Sequence, residues 1–255
     1  MPLYELAICI SKTPTAQVLY SDEDLMTEAG LRVTPHFKSS WNPELLTAHN
    51  YVTHLCCYKR SLLTELNGFR LGYEGAQDYD LVLRASRMVQ PENIIHIPKV
   101  LYHWRMVEGS TAMSAGAKSY ATQAGLKALQ YHINAIEPLA KVVHSTRDNF
   151  YKVSWPLPEA LPKVSIIIPT RDGLEVLKPC IDGLLNNTHY SNLEIVILDN
   201  GSVQTETFEY FEQLAGYPFI KVVRDDGPFN YSAINNHAVR HSSGDLICLL
   251  NNDIE

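Results

Sequence analysis

The chain has 255 residues, of which 45% are hydrophobic and 19% are charged, and its formal net charge is −7. This is enough chain for one large globular domain or two smaller ones, and the negative charge argues against nucleic acid as a partner. No apolar run reaches the roughly 18 residues that a membrane span needs, and the five cysteines show no Cys-x-x-Cys spacing. We therefore expect a cytoplasmic protein without a transmembrane segment, and any association with the inner face of the cell membrane would be peripheral.

The first hundred residues predict short helices and strands in mixed order. Helices are expected at Tyr4–Ser11, Ser61–Asn67 and Asp78–Val89, and strands at Gln17–Tyr20, Tyr51–Tyr58, Ile94–Pro98 and Val100–Trp104. The buried positions of the third helix should be Leu81, Leu83, Ala85 and Met88. An acidic run, residues 21–24, follows the first strand at once, and we expect it to lie at the end of that strand.

A long amphipathic helix is predicted at Thr111–Ile136, and a linker follows it. The prolines of residues 156–162 then mark the boundary before a second region begins.

From Lys163 onwards, strands alternate with helical segments, which predicts a parallel α/β sheet. The strands are expected at Val164–Pro169, Glu194–Leu198, Phe219–Val223 and Leu246–Leu250. Each run of β-branched or aliphatic residues stops at polar side chains, namely Thr170 and Asp172, Asp199, Asp225 and Asp226, and Asn251 to Asp253. Parallel sheets bind ligands at the carboxyl ends of their strands, so the pattern predicts a nucleotide site with a metal ion.

Three helices should connect these strands. Asp172 is expected to cap the first helix, which should start late or kink because of Pro179. The second helix has an apolar face formed by Phe208, Phe211 and Leu214, and the third is predicted at Ala233–His241.

A sequence pattern that occurs twice bears on the domain organisation. Gln17–Asp24, a strand followed by acidic residues, resembles Leu246–Asp253, and we interpret the two as the same structural position seen twice. Residues 1–110 would then be the carboxy-terminal half of one domain and residues 111–160 a helix and linker. Residues 161–255 would be the amino-terminal half of a second domain.

Several ordered motifs together resemble family-two glycosyltransferases of the GT-A fold, an α/β fold with a mostly parallel sheet flanked by helices. In the second region these are Ser165–Asp172, Cys180–Leu185, Val196–Ser202 and Pro228–Asn236. In the first region they are Tyr20–Asp24, Gly68–Arg70, Gln77–Leu81 and Tyr102–Arg105. The resemblance implies transfer of a sugar from a nucleotide-diphosphate sugar to a glycan or lipid-linked acceptor, in the synthesis of cell-surface polysaccharide.

The resemblance also implies a nucleotide-binding set in the second region. Asp199 would bind the base or ribose of a UDP- or dTDP-linked sugar, with Pro169, Thr170 and Asp172 in the same pocket. Further contacts are expected from Asp225 or Asp226, Asn236 and Asn251.

The metal motif is implied in the first region. Asp22 and Asp24 resemble the family's Asp-x-Asp, and carboxylates are the ligands that Mg²⁺ or Mn²⁺ prefers. His103 resembles a histidine that joins the metal–diphosphate site. In the second region, only Asp253 offers a comparable carboxylate, beside the carbonyl oxygen of Asn251.

The catalytic base is expected to be Asp78. Transfer with inversion needs a carboxylate that takes the proton of the acceptor hydroxyl, and the start of a helix favours an ionised carboxylate there. The family often has Glu-Asp at this point, where this chain has Gln77-Asp78, and Asp80 is the less favoured base. Trp104 and Arg105 would close over the donor, while the acceptor side is assigned to Trp41, Asn50 and His54.

Other interpretations stay open at this point. The chain could be a non-catalytic nucleotide-sugar-binding or scaffolding fragment, or its two halves could dock as one circularly permuted domain. A Rossmann-like enzyme such as a sugar epimerase is disfavoured, because the chain has no G-x-G-x-x-G segment.

Overall fold

The structure is a computed structural model that describes residues 2–106, 119–147 and 149–254. The chain divides into two compact units, Met1–Pro156 and Leu157–Glu255, which we call the amino-terminal and carboxy-terminal units. Each unit has its own hydrogen-bonded sheet and its own apolar core. The described residues therefore form separate sheets, rather than the single sheet that a permuted domain would require.

The amino-terminal unit contains five helices and six strands in its described residues. The helices are α1 (Pro2–Lys12), α2 (Pro43–Ala48), α3 (Arg60–Glu65), α4 (Gln77–Ser86) and α5 (Ser119–Asn134). The strands are β1 (Val18–Met26), β2 (Arg32–His36), β3 (Cys56–Tyr58), β4 (Ile94–Arg105), β5 (Lys141–His144) and β6 (Tyr151–Ser154). The first eight residues of the predicted helix Thr111–Ile136 lie outside the described residues.

Strand β1 organises this unit. It runs parallel to β4 and antiparallel to β2 and β3, so hydrogen-bonded neighbours flank most of its length. Its first half carries Val18 and Tyr20, which are fully buried in the larger apolar core with Tyr51 from the loop between α2 and β3. An edge-to-face contact between the Tyr20 and Tyr51 rings, with centroids 5.9 Å apart, joins the strand to that loop.

The structure corrects several predictions for this unit. The acidic run does not follow a strand ending at Tyr20, because β1 continues through it to Met26. The predicted strands Ile94–Pro98 and Val100–Trp104 are one strand, β4, whose register against β1 shifts where Pro98 and Lys99 are accommodated. Of the strand expected at Tyr51–Tyr58, only the last three residues form a strand, β3.

Helix α4 confirms three of its four predicted core positions. Leu81, Leu83 and Ala85 are buried, whereas Met88 is 44% exposed. The reason is that the helix ends at Ser86, so the helical periodicity no longer applies at Met88.

The carboxy-terminal unit alternates strands and helices, as predicted. Its elements are β7 (Val164–Thr170), α6 (Leu174–Asn187), β8 (Leu193–Asp199), α7 (Thr205–Leu214), β9 (Ile220–Arg224), α8 (Tyr231–Val239) and β10 (Leu246–Leu249). The strand order is β10-β7-β8-β9 and every pairing is parallel, which confirms the predicted α/β class. The central strands β7 and β8 are buried on both faces, as their continuous apolar runs require.

The helices of this unit differ from prediction in detail. Helix α6 begins at Leu174 and runs through Pro179, so the expected late start is wrong, and its N-cap is Gly173 with φ 64°. The buried face of α7 is Thr207, Tyr210 and Leu214, whereas Phe208 is 40% exposed.

A close backbone approach brings β10 beside β7. A Cβ atom on Gly244 would lie 2.5 Å from Ser165 Oγ and 2.8 Å from the Lys163 carbonyl oxygen. Only glycine fits at this crossing. Because β10 pairs with β7 in parallel, the residues after both strands lie at the same edge of the sheet.

Within the described residues, no helix has the length and apolarity that crossing a membrane requires.

Candidate active site

A pocket of about 170 Å³ in the amino-terminal unit contains the predicted base. Its polar lining residues are Asn50, Thr53, His54, Asp78 and Tyr102. Its apolar lining includes Val52, Leu55, Phe69, Leu81 and Val82. The structure thus brings Asp78 together with Asn50 and His54, two of the three residues assigned to the acceptor side from sequence.

Asp78 lies in the first turn of α4 and is half-buried. Asn50 Nδ2 donates to its Oδ2 at 2.9 Å, and the backbone N–H of Tyr79 donates to its Oδ1 at 2.9 Å. The N-cap of the helix is Ala76, so capping is not the reason for a carboxylate at this position. The carboxylate lies at the N-terminal end of α4, where the helix dipole is positive.

Asp80, the alternative base, is committed to the fold. It is 1% exposed and accepts hydrogen bonds from the guanidinium groups of both Arg70 and Arg84. Arg84 also donates to the carbonyl oxygens of Leu66 and Gly68, at 2.7 Å each. Both oxygens of the Asp80 carboxylate already accept from guanidinium groups and the residue is buried, so an acceptor hydroxyl has better access to Asp78.

The two aspartates of the predicted metal motif are buried and paired. Asp22 Oδ1 accepts from the Lys38 backbone N–H at 2.9 Å and lies 2.7 Å from His96 Nε2. Asp24 Oδ1 lies 2.6 Å from His103 Nδ1, and its Oδ2 accepts from Arg32 Nε at 2.6 Å. Burial raises the pKa of Asp24, but the bonds from His103 and Arg32 outweigh it and lower that pKa below its usual value.

This arrangement does not fit a preformed cation site. The described residues contain no group of three or more His, Cys, Asp and Glu side chains that could hold a metal ion. Both carboxylate oxygens of Asp24 already contact a basic side chain, and the carboxylate of the second-region candidate, Asp253, belongs to an exposed residue.

Glu23, the middle residue of the run, was not singled out from the sequence, although it contacts the pocket. Its Oε1 accepts from Thr53 Oγ1 at 2.6 Å, and its Oε2 lies 3.3 Å from His54 Nδ1. Burial raises its pKa, but hydrogen bonds from His36, His54 and Thr53, with the Lys38 charge, lower that pKa well below its usual value. Successive side chains of a strand point to opposite faces, so Glu23 takes different partners from Asp22 and Asp24. A prediction that the run lies inside a strand would have indicated this difference.

A second pocket, of about 230 Å³, lies at the carboxyl ends of the strands in the carboxy-terminal unit. Its lining residues are Pro169, Thr170, Arg171, Asn200, Phe229, Tyr231, Ile234, Asn251 and Asn252. Three predicted nucleotide contacts, Pro169, Thr170 and Asn251, are among them. The predicted aspartates are not.

Asp199 and Asp172 stabilise loops of this unit instead. Asp199 is 2% exposed, accepts from the Ser202 N–H at 2.9 Å and lies 2.5 Å from Arg224 Nη1. Asp172 accepts from the N–H groups of Val203 and Gln204, at 2.9 Å each, and so stabilises the start of α7 rather than capping α6. The bond from Gln204 is the main cause that lowers the pKa of Asp172 below its usual value.

Asp225 is likewise paired locally. Its Oδ2 lies 2.8 Å from His237 Nδ1, whose hydrogen bond is the main cause that lowers the pKa of Asp225, and its Oδ1 accepts from the Gly227 N–H at 2.8 Å. Asp226 bonds Arg224 Nε at 2.6 Å, and Asn236 is exposed on α8.

Asn200 is one of several residues of this pocket that the sequence did not identify as a nucleotide contact. It is 3% exposed, and its Nδ2 donates to the carbonyl oxygens of Asp225 and Gly227 at 3.2 and 3.0 Å. These bonds fix the orientation of the amide, and its Oδ1 is buried without a hydrogen-bond partner among the described residues. An unsatisfied buried acceptor costs about 1–3 kcal/mol, which a ligand donor would recover.

The comparisons with known proteins agree with the motifs. Residues 165–255 match the family model of glycosyl transferase family 2. The O-antigen biosynthesis protein RfbC of Myxococcus xanthus is 38% identical over 253 residues, which are 99% of this chain and 20% of that protein. The uncharacterized protein y4gI of Sinorhizobium fredii is 45% identical over 248 residues, which are 96% of this chain and 27% of that protein. The chain therefore spans about a quarter or less of the length of these relatives.

Among solved structures, the mannosyltransferase PcManGT from Pyrobaculum calidifontis, in complex with GDP-Man and Mn²⁺, is 22% identical. The match covers 38% of this chain and 29% of that one, with a TM-score of 0.35.

In open parallel α/β sheets, ligands bind at the carboxyl ends of the strands, where this pocket lies. This sheet lies in residues 165–255, the part of the chain that matches the family model of glycosyl transferase family 2.

Proposed function

We propose that the chain is part of an enzyme that transfers a sugar, with inversion, from a UDP- or dTDP-linked donor to a glycan or lipid-linked acceptor. The family match supports sugar transfer, and the similarity to RfbC supports a role in polysaccharide synthesis. We place this synthesis in the cytoplasm, with peripheral association at the inner face of the membrane. The observation that carries the catalytic proposal is the half-buried Asp78 carboxylate, oriented by Asn50 in a pocket that Thr53, His54 and Tyr102 also line.

In the proposed reaction, the Asp78 carboxylate takes the proton of the acceptor hydroxyl as that oxygen attacks the anomeric carbon. The bond from the anomeric carbon to the diphosphate breaks on the opposite face, which inverts the configuration. Asn50 Nδ2 holds one carboxylate oxygen, so the carboxylate keeps a fixed orientation in the pocket. A positioned base of this kind contributes about 10²–10⁴ in rate.

The second pocket, at the carboxyl ends of the strands in the carboxy-terminal unit, is proposed to bind a nucleotide diphosphate, and we call it the nucleotide pocket. The exposed rings of Phe229 and Tyr231 offer stacking surfaces for a base, and Asn200 Oδ1 would accept a hydrogen bond from the base edge. Arg171 is the cation of this pocket and would face the diphosphate. Asp199, Asp172 and Asp225 would then act indirectly, by shaping the loops.

We further propose that the chain spans a junction between two glycosyltransferase domains. Residues 1–110 would end one domain, residues 111–160 would connect, and residues 161–255 would begin the next. The separate sheets of the two units and the greater length of the relatives support this division.

Asp22, Asp24 and His103 are residue types that can hold Mg²⁺ or Mn²⁺. However, Asp24 is paired with Arg32 and Asp22 with His96, and these contacts do not fit a bound cation. The proposed reaction therefore assigns no step to a metal.

The alternative is a non-catalytic nucleotide-sugar-binding or scaffolding fragment. It is favoured by the ion pair between Asp199 and Arg224, which occupies the carboxylate expected to contact the nucleotide.

Hydrolysis of UDP-glucose and dTDP-glucose, with water as the acceptor, separates the two functions. We expect Asp78→Asn to lower hydrolysis at least 100-fold, because the amide cannot take a proton. The control Asp182→Asn, at an exposed position of α6, should leave the rate unchanged. UDP binding without any Asp78-dependent turnover would establish the binding fragment instead.

A further inference from the structure

A loop segment of the Asp78 pocket is held by a buried carboxylate and a buried ammonium group. Residues 52–54 have no regular secondary structure, yet Val52, Thr53 and His54 all line the pocket. Glu23 of β1 contacts Thr53 Oγ1 and His54 Nδ1. Lys38 Nζ donates to the carbonyl oxygens of Val52, at 2.7 Å, and of His54.

These charges are costly to bury, so their placement needs a reason. Glu23 is 7% exposed and so is Lys38, and their charged atoms lie 3.9 Å apart. Burial lowers the pKa of Lys38 to about 8, despite the opposing effect of Glu23. A buried ion pair contributes little net stability compared with apolar packing, but it fixes the geometry of the groups it holds.

The group that is held most specifically is the His54 ring. It stacks on the Tyr102 ring with centroids 4.7 Å apart and an interplanar angle of 18°, and meets the Trp104 ring edge-to-face at 5.3 Å. His54, Tyr102 and the exposed Phe69 line the pocket and give it a partly aromatic wall, in the pocket that also holds the Asp78–Asn50 pair.

A pocket that combines ring faces with a carboxylate and an amide matches the chemistry of a sugar. The C–H face of a pyranose packs on aromatic rings, while its hydroxyls need polar partners fixed in direction. The orientation of the aromatic rings then decides how a pyranose lies in the pocket and whether its hydroxyl meets Asp78. The His54 ring is contacted at Nδ1 by Glu23, at 3.3 Å.

We propose that Glu23 is a positioning residue for the acceptor: by fixing Thr53 and His54, it shapes the Asp78 pocket to bind a pyranose ring. This inference rests on the proposed function of Asp78 as the base. It assigns a role to the middle residue of the acidic run that is separate from metal binding.

The test uses the whole chain with methyl α-D-glucopyranoside, methyl α-D-mannopyranoside and methyl α-D-galactopyranoside as probes. Binding is followed by saturation-transfer NMR, and hydrolysis of UDP-glucose and dTDP-glucose is measured in parallel. Glu23→Leu removes the contacts to Thr53 and His54, Glu23→Gln keeps one acceptor oxygen, and Glu28→Gln is the matched control in the exposed turn after β1.

We expect at least one glycoside to bind the wild-type chain, and Glu23→Leu to weaken that binding about fivefold or more, the equivalent of one lost hydrogen bond. Glu23→Gln should fall between the two, Glu28→Gln should match the wild type in both measurements, and hydrolysis by Glu23→Leu should fall by a smaller factor than glycoside binding, since water needs no oriented ring. If Glu23→Leu does not fold, Glu23→Gln decides the outcome. If neither folds, Glu23 is structural only and the inference is overturned.

The failures of the two proposals are distinguishable. Hydrolysis that depends on Asp78, without glycoside binding or with binding indifferent to Glu23, overturns the role of Glu23 and leaves the base in place. Glycoside binding that depends on Glu23, in a chain without Asp78-dependent hydrolysis, overturns the base and retains the sugar site. Equal loss of binding and hydrolysis in Glu23→Leu also overturns the inference, because it marks a general disruption.

Discussion

The two units use carboxylates in different ways. In the amino-terminal unit, Asp22, Glu23 and Asp24 are buried in the middle of β1, and side chains from other segments approach them. In the carboxy-terminal unit, Asp199 is the last residue of β8 and Asp172 lies just after β7, and both accept bonds from backbone N–H groups of loops. The carboxylates of β1 hold together segments that are distant along the chain, among them the loop that lines the Asp78 pocket. Asp172 and Asp199 shape the loops at the strand ends.

The strands that carry these residues differ as well. Strand β1 has nine residues and an almost continuously buried pattern, whereas β10 has four residues, all exposed, and pairs only with β7 among the described strands. The similarity of Gln17–Asp24 and Leu246–Asp253 therefore does not extend to their environments. A shared sequence pattern needs the same neighbours before it produces the same site.

The largest difference should appear when a buried charge loses its partner. Arg84→Leu should destabilise the amino-terminal unit by about 3–5 kcal/mol, because Asp80 is left with Arg70 alone and two carbonyl oxygens lose their donor. Urea unfolding followed by hydrogen exchange in each unit measures this. Arg87→Leu, at the exposed position three residues later, should cost less than about 1 kcal/mol.

The matched change in the carboxy-terminal unit is Glu194→Gln. Glu194 is 2% exposed, but its partners Lys163 and Lys221 are partly exposed, so they can be solvated once the carboxylate is gone. We expect a cost of about 1–2 kcal/mol. Equal costs for Arg84→Leu and Glu194→Gln would remove the contrast between the units.

Acid should destabilise the amino-terminal unit first. Burial lowers the pKa of His132 from 6.5 to about 4, and its Nδ1 lies 3.0 Å from the Leu83 carbonyl oxygen. Between pH 6.5 and 4 the unfolded state binds the proton more readily, so stability is complete above pH 6.5 and falls by about 3 kcal/mol towards pH 4.

The carboxy-terminal unit should respond only at lower pH. Burial raises the pKa of Glu194, but hydrogen bonds from Ser165 and Ser243, with Lys163 and Lys221, hold it well below its usual value. Its stabilisation is therefore present above the ordinary carboxyl pKa, about 4.3, and is lost below it. Unfolding at pH 7, 5.5 and 4 with His132→Asn as the control tests this, since that variant should lose the dependence between pH 6.5 and 4.

The smallest effect concerns the aromatic residues of the two pockets. Phe229 is 71% exposed at the nucleotide pocket and Phe69 is 65% exposed at the Asp78 pocket. We expect Phe229→Ala to weaken UDP binding about fivefold, from the loss of roughly 1 kcal/mol of stacking, with little effect on stability. Phe69→Ala is the control in calorimetric titrations, and equal losses in both variants would refute the assignment of the nucleotide to the carboxy-terminal unit.

The sequence predicted the carboxy-terminal sheet well, because continuous apolar runs such as Ile195–Leu198 specify buried parallel strands by themselves. It also predicted the position of Asp78 on α4 and grouped that residue with Asn50 and His54. It did not predict Asn200 or Glu23, whose importance depends on one unpaired atom and on contacts across the fold.

By itself, the sequence determined the alternation of strands and helices after Lys163 and the types of residue near each pocket. Only the tertiary structure decided which carboxylates are free. Asp22 and Asp24 meet His96 and His103, which lie 74 and 79 residues away along the chain. Local patterns report the preferences of neighbouring residues, whereas burial of a charge depends on counter-charges that folding brings from distant segments.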